Sequence, residues 1–451
     1  MEGTTGQTLE GEGPRPPVVA VETHGCKLNL ADSEALAREL ERSGCRIVTE
    51  REQADVYVLN TCTVTREADS KARQAVRAYM RQFPGSVVMV TGCYAQRSPG
   101  ELESIPGVSL VVGNRAKGGL AGSILGLIEG AHGPRASGDD TSWPTIPLRH
   151  RAMVKIQEGC NQVCAYCIVP KVRGRERSVP PEALTAQVRE RLKEGYREVV
   201  LTGTQLGSYG FDVPGTSLEA LVRGLMEETS LERLRVSSLQ PQELTEGLLG
   251  LWARYPTRLC PHFHMPLQSS SDAVLRRMRR RYGADLYAET VQRIRQTVPE
   301  AAVTTDVIVG FPGETEEDFQ RTLDFCQGMG FAAIHVFPYS VRPGTGAAHM
   351  REKVNGESLS TRRRALAELG RGLAAAFRQR CVGQVRQVLW ERERELGGVK
   401  LWEGLTDTYL RVQCLSSRGL ANQIAPARLE RCTGQVLWAK PLPGGAFPGM
   451  P

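Results

Sequence analysis

The sequence predicts an α/β protein of three folded parts: an amino-terminal open parallel α/β sheet, a central partial (β/α)6 barrel and a small carboxy-terminal β-barrel. Three observations lead there. Val-rich apolar runs alternate with amphipathic stretches through most of the chain, as in parallel strands covered on both faces. A Gly/Pro/Ser-rich stretch without apolar periodicity interrupts this pattern at 129–149. Beyond Gly383 the pattern changes to short alternating strands broken by turns.

Residues 1–16, rich in Gly, Glu, Thr and Pro, are expected to be a disordered tail. In the first domain, 17–128, the strand-like runs VVAVET, DVYVLNT and SVVMVTG lead to Cys26, Cys62 and Cys93, with helical stretches between them. Residues 129–149 are a linker, and 150–381 carry six further strand–helix units, too few for a closed eightfold barrel. Their strands are AMVKIQ, REVVLTG, LERLRVSSL, LCPHFHMPLQ, VTTDVIVGFP and AAIHVFPYS, and the helix TRRRALAELGRGLAAAFRQR closes the domain. The final domain, 382–441, reads as the strands VRQVLWERE, YLRVQCL, QIAPARL and GQVLWAKP, and 442–451 as a loose tail.

No run approaches the roughly 18–20 apolar residues of a membrane helix, and the Gly- and Glu-rich start is no export signal. A cytoplasmic protein without membrane contact is expected. In that compartment the 12 cysteines are not a disulfide framework, which leaves metal or redox chemistry. The net charge of +7 is too modest to argue for nucleic acid by itself. Arginines do cluster at Arg276, Arg277, Arg279, Arg280 and Arg281, and at Arg362, Arg363 and Arg364. These are either solvated helix faces or an RNA footprint.

Cys160, Cys164 and Cys167 stand as C-x3-C-x2-C in GCNQVCAYC, directly after the first strand of the central domain. A loop of this length can wrap three thiolates around one corner of a cubane cluster and leave one iron open to a small molecule. A zinc knuckle would want a fourth Cys or His nearby, and none follows for dozens of residues. Cys26, Cys62 and Cys93 share one topological place, the carboxyl end of a parallel strand, and such ends line a single crevice. They form a second trio. Cys45, Cys260, Cys326, Cys381, Cys414 and Cys432 share no spacing and are expected to be packing residues.

The C-x3-C-x2-C spacing is the hallmark of the radical S-adenosylmethionine (SAM) superfamily, whose open iron chelates the amino and carboxylate groups of SAM. Tyr166 stands where that superfamily usually has an aromatic. Gly203, Thr204, Ser238, Gln268 and Gly310 lie at the ends of successive strands, on the face where such barrels keep their sites, and are the candidates for binding SAM. The motifs THGCKLN, LNTCTVT, VTGCYAQR, KIQEGCNQVCAYCIVP, VRGRERS, HMPLQS and TDVIVGFPGETEEDF recur in order in the methylthiotransferase family, which this chain resembles from about residue 17 to 440. Among its branches, NTCTVTREADSKARQ and IHVFPYSVRPGT resemble the MtaB type most closely. GTQLGSYG and Gln240, near the expected substrate pocket, depart from that pattern.

The resemblance implies methylthiolation of tRNA at C2 of N6-threonylcarbamoyladenosine 37. Isopentenyladenosine (MiaB type) and a ribosomal-protein aspartate (RimO type) are the alternative substrates, and an RNA-binding protein with structural clusters is the alternative without catalysis. It implies two [4Fe-4S] clusters, an auxiliary one on Cys26, Cys62 and Cys93 that holds the sulfur, and one on Cys160, Cys164 and Cys167 that cleaves SAM to a radical. Cofactor chemistry is needed because no side-chain acid or base functionalises an aromatic C–H. The final domain resembles TRAM, with Trp402 and Tyr409 as candidate stacking residues for RNA. Partners would be a tRNA anticodon loop, an electron donor such as flavodoxin or ferredoxin, and a sulfur donor. Arg173 and Arg175 are candidates for pairing with the threonylcarbamoyl carboxylate.

Overall fold

The structure, a computed structural model, describes residues 16–132 and 150–442. The expected terminal tails, and the linker beyond residue 132, fall outside them, apart from Pro16 and Leu442. The helix Leu120–His132 runs past the expected boundary at residue 128. The chain divides into two compact units. One holds the first domain, and the other holds residues 149 onward together with Val64–Arg66.

In the first unit, β1 (Val18–Thr23), β2 (Arg46–Val48), β3 (Val56–Thr61), β4 (Val87–Gly92) and β5 (Val108–Gly113) form a parallel sheet in the order β2-β1-β3-β4-β5. Ala20, Tyr57, Leu59 and Val90 pack on one face, and Val19, Val58 and Met89 on the other. Burial on both faces explains why these strands read as continuous apolar runs. The sequence reading found β1, β3 and β4 and missed the two edge strands. One edge, β2, has only three residues, and the other, β5, is only partly covered. Helix α1 (Lys27–Arg42) buries Leu28, Ala31, Leu36, Ala37 and Leu40, the stripe of an amphipathic helix laid on a sheet. Strand order reverses between β1 and β3, and that switch point is where α/β sheets open a crevice at the strands' carboxyl ends.

The second unit begins with β6 (Arg151–Lys155) and a short antiparallel pair, β7 (Gln157–Glu158) with β8 (Arg177–Ser178). The strands β9 (Glu198–Thr202), β10 (Arg233–Val236), β11 (His262–His264), β12 (Ala302–Val309) and β13 (Ala333–Pro338) follow. They pair in parallel as β10-β9-β6 and β11-β12-β13, and single bridges at Leu234–Leu259 and Ser238–His264 join the two sets. Among the described residues β6 and β13 do not pair, so the barrel is partial and six-stranded, as expected. Ala152, Val154, Val199, Leu201, Leu234, Val236, Phe263, Val303, Val307 and Val309 belong to the main core under the helices. Because strand side chains alternate, the residues between them line the inner wall.

The last strands, β14 (Val385–Leu396), β15 (Val399–Thr406), β16 (Arg411–Leu415), β17 (Ile424–Thr433) and β18 (Val436–Pro441), close a barrel in the order β14-β15-β16-β18-β17. The sequence reading found four strands and missed β15. Its signal was present: Gly397-Gly398, with φ of +57° and +81°, is the two-residue turn that right-twisted hairpins favour. Trp402 is 1% exposed in this barrel's core and donates to the Ser416 carbonyl. Tyr409 stacks on His262 with Arg235 over its ring. Neither is available to stack on RNA, which corrects that expectation. Trp402 is needed to fill so small a barrel, and Tyr409 is taken up at its joint with the partial barrel.

Candidate metal centres

In the first unit, all three cysteines follow the carboxyl ends of adjacent strands. Cys26 precedes α1 after β1, Cys62 follows β3, and Cys93 opens the short helix α2 (Cys93–Arg97) after β4. Gly25 and Gly92 precede two of them, with φ of +109° and +100°. A Cβ on Gly25 would stand 2.6 Å from Cys62 Cβ and 3.0 Å from its sulfur. One on Gly92 would stand 2.4 Å from the Thr61 carbonyl oxygen. Glycine is required at both positions because the chain must turn sharply while another segment lies against it.

Asn29, wholly buried on α1, organises the trio. Its Nδ2 donates to the carbonyls of His24 (2.8 Å) and Thr61 (2.9 Å), while Cys26 and Cys93 Sγ lie 4.0 and 3.9 Å from its Oδ1. Asn114 Nδ2 approaches Cys93 Sγ at 3.4 Å. The sequence reading missed Asn29, although its place three residues after Cys26 on the inner helix face was the available signal. Cys26 and Cys93 thus share Asn29 Oδ1 as a neighbour, Cys62 lies against Gly25 beside Cys26, and Cys93 has an amide donor of the kind that tunes cluster potentials.

In the second unit, the loop after β7 carries the other trio. Cys167 N donates to the Cys164 carbonyl at 3.1 Å and Cys160 N to the Gly174 carbonyl at 3.1 Å, which curls the loop upon itself. Gly159 has φ +79°, and a Cβ there would fall 1.9 Å from the Arg175 carbonyl oxygen. Arg280 Nη1 lies 3.4 Å from Cys164 Sγ, and its guanidinium sits over the Tyr282 ring. Burial pushes the Cys160 thiol up to about 11 and the Cys167 thiol up to about 12. Such thiols stay protonated in neutral solution and ionise only when a cation binds them. Tyr166 packs edge-on against Phe311.

The strand-end residues singled out in the sequence do lie at one end of the partial barrel. Gly203 and Thr204 follow β9, Ser238 follows β10, Gln268 follows β11 and Gly310 follows β12. Gln268 has φ +65° and exchanges backbone hydrogen bonds with β12, its N–H donating to the Asp306 carbonyl at 2.8 Å. Thr204 Oγ1 and Ser237 Oγ are buried with no hydrogen-bond partner among the described residues. Buried hydroxyls left this way are costly unless a ligand meets them, so they suit a polar cofactor.

Sequence reasoning missed the amides that brace this end. Gln157 Oε1 accepts from the backbone N–H groups of Thr204 and Gln205, and its Nε2 donates to the Gly159 carbonyl. Gln240, a departure in the sequence, donates to Gln162 at 3.2 Å and thereby ties the end of β10 to the cysteine loop. Arg173 is a correction. Its side chain is 2% exposed and bonded to Glu158 at 2.7 Å, so it anchors the cysteine loop and is not free to reach a substrate carboxylate. Arg175 is exposed. Of the six other cysteines, Cys45, Cys260, Cys326, Cys381 and Cys414 are buried, and Cys432 is half-buried.

The Arg-rich segments divide similarly. Arg276, Arg277, Arg279 and Arg281 are exposed, whereas Arg362 is buried and paired with Glu314 and Glu316. No helix among the described residues is long and apolar enough to cross a membrane.

Residues 18–113 match the family described as Uncharacterized protein family UPF0004, and residues 154–326 match the Radical SAM superfamily. The chain is 36% identical to the threonylcarbamoyladenosine tRNA methylthiotransferase MtaB of Bacillus subtilis, over 91% of this chain and 93% of that one. It is 37% identical to the protein of the same name from Aquifex aeolicus, over 88% and 96%. The tRNA-2-methylthio-N(6)-dimethylallyladenosine synthase of Acidothermus cellulolyticus is also 37% identical, over 85% of this chain and 80% of that one. In fold, the chain is similar to the radical SAM methyltransferase TsrM of Kitasatospora setae, with a TM-score of 0.54 at 12% identity, over 82% of this chain and 80% of that one. Identity above one third across nine-tenths of two chains, together with the two family matches, establishes that the chain belongs to the methylthiotransferase family of radical S-adenosylmethionine enzymes.

Proposed function

We propose that this chain methylthiolates tRNA at C2 of N6-threonylcarbamoyladenosine 37, with two [4Fe-4S] clusters and SAM. The observation that carries the reading is the match to the Bacillus subtilis enzyme along nearly the full length of both chains. Relatives named for dimethylallyladenosine are as similar in identity, but the chain spans only 80% and 75% of the first two.

Cys26, Cys62 and Cys93 would hold the auxiliary cluster, and Cys160, Cys164 and Cys167 the SAM-cleaving one. The bound clusters and SAM supply the sulfur and the radical. The chain's own residues do the rest. Arg280 balances thiolate charge at Cys164, and Asn29 spaces the first trio. Gly203, Thr204, Ser238, Gln268 and Gly310, with Tyr166 beside the loop, line the end where SAM would sit. The base is presented by an anticodon loop, whose unstacked nucleotides can be drawn into a pocket. The final barrel and the exposed arginines of 276–281 would hold the RNA backbone. An electron donor such as flavodoxin or ferredoxin and a separate sulfur donor complete the cycle, in the cytoplasm.

The test is nucleoside mass spectrometry after incubating the reconstituted enzyme, under anaerobic reducing conditions with SAM, with tRNA carrying either modification. Methylthio product is expected from threonylcarbamoyladenosine and not from isopentenyladenosine. Equal turnover, or preference for the second, would overturn the substrate. Absence of product from both would overturn the activity.

A further inference from the structure

The inner wall of the partial barrel is charged, and most of its charges are already matched. At the floor, Glu198 lies between Arg233 and Arg235, and Arg151 pairs with Glu391 at 2.9 Å. Higher up, three adjacent strands carry a connected polar row. His264 Nδ1 meets Thr304 Oγ1 at 2.9 Å, His264 Nε2 meets Asp306 Oδ2 at 3.2 Å, and His335 Nδ1 meets Asp306 Oδ1 at 3.1 Å. Strand register sets Asp306 directly beside His335. Burial pulls the Asp306 carboxyl upward, but the hydrogen bonds and charges of the two imidazoles outweigh it and hold the group well below the usual carboxylate range. Asp306 is therefore a fixed anion. His335, whose side chain is 59% exposed, is the outermost member of the row.

A threonylcarbamoyl group ends in a carboxylate, and a carboxylate drawn into a cavity without a partner is very costly. Of the two arginines expected from the sequence, Arg173 is held by Glu158, as is Lys155 at 3.4 Å, and Arg175 stands exposed at the surface. Resting on the substrate reading above and refining it, we propose that His335, oriented by Asp306, recognises the carboxylate of the threonylcarbamoyl group. An imidazolium donates at both ring nitrogens. Nδ1 then serves Asp306, which orients the ring, and Nε2 serves the substrate. An apolar isopentenyl tail gains nothing from this group and would leave it desolvated, so the same residue discriminates between the two substrates.

The test pairs a change in the enzyme with a change in the ligand. An anticodon stem-loop carrying threonylcarbamoyladenosine is compared with its carboxyl methyl ester, in wild type and in His335→Phe, with the cluster absorption spectrum as the control for folding. Wild type is expected to favour the acid by about ten- to a hundredfold in kcat/KM, the range of a hydrogen bond to a charged group. In His335→Phe the preference should collapse through loss on the acid alone, and Asp306→Asn should reduce it partway. A preference that persists in His335→Phe, or an equal loss on acid and ester, overturns the proposal. Two imidazoles and a carboxylate within 4.8 Å of one another also suit a divalent cation. A non-iron metal bound one per chain in wild type and lost in His335→Phe would replace the carboxylate with a metal. Failure of the substrate reading looks different: wild type forms no product from either stem-loop.

Discussion

Replacing Glu198 by Gln should weaken the joint between the partial barrel and the final domain. Glu198 is the first residue of β9, wholly buried, and bonds Arg233 at 2.5 Å and Arg235 at 2.9 Å. Those arginines, 1% and 0% exposed, also donate to the carbonyls of Leu405, Thr406 and Asp407 at the end of β15. Burial pushes the Glu198 carboxyl up, but the charges of Arg233 and Arg235 outweigh it and lower the group to about 2 from an ordinary 4.5. A downshift of that size corresponds to roughly 3 kcal/mol of stability. Breaking a buried ion pair costs about 3–5 kcal/mol by comparison. The two scales agree, because Gln leaves two buried guanidinium groups with too little negative charge.

Because the folded carboxyl is depressed, this stability is fully present above pH 4.5 and is lost as pH falls through about 2. The assay is anaerobic denaturant unfolding at neutral pH, followed by tryptophan fluorescence. Trp390 and Trp402, both buried in the final barrel, report the joint. The transition should move to lower denaturant by the equivalent of about 3 kcal/mol. At acid pH wild type should lose the advantage that the variant lacks, and the two curves should converge. A variant within about 0.5 kcal/mol of wild type at neutral pH, the range of a neutral surface change, would refute the reasoning.

Two further outcomes are expected. The reconstituted protein should bind about eight irons, as two four-iron clusters, and changing Cys160, Cys164 and Cys167 together to Ala should halve that number. Complete loss or no loss, read by iron analysis, would contradict two independent centres. Gly159→Ala should give the same half-loaded protein, because the added methyl meets the Arg175 carbonyl in a backbone conformation that L-residues rarely adopt. Full iron content in that variant would show that the loop can yield.

What the sequence determined by itself was local or periodic. The C-x3-C-x2-C loop is eight residues long, so its spacing alone confines three cysteines to one loop. The first trio was legible because a parallel strand's carboxyl end is a repeated address, and three cysteines carry it. The partial barrel was legible because strands and helices alternate with distinct hydrophobic periods. Tertiary structure alone decided which polar side chains are already partnered. Arg173 reads as a free cation until Glu158, 15 residues away, is seen against it. Tyr409 reads as a stacking surface until His262, from another domain, covers it. Arg233, Arg235 and Glu198 become a joint only because β9 and β10 pair in register and the turn after β15 closes over them. Asn29, Gln157 and the His264–Asp306–His335 row depend likewise on neighbours from separate strands. The physical reason is common to all of them: backbone periodicity is encoded within a few residues, whereas a buried charge or amide is stable only beside a partner that distant segments must bring.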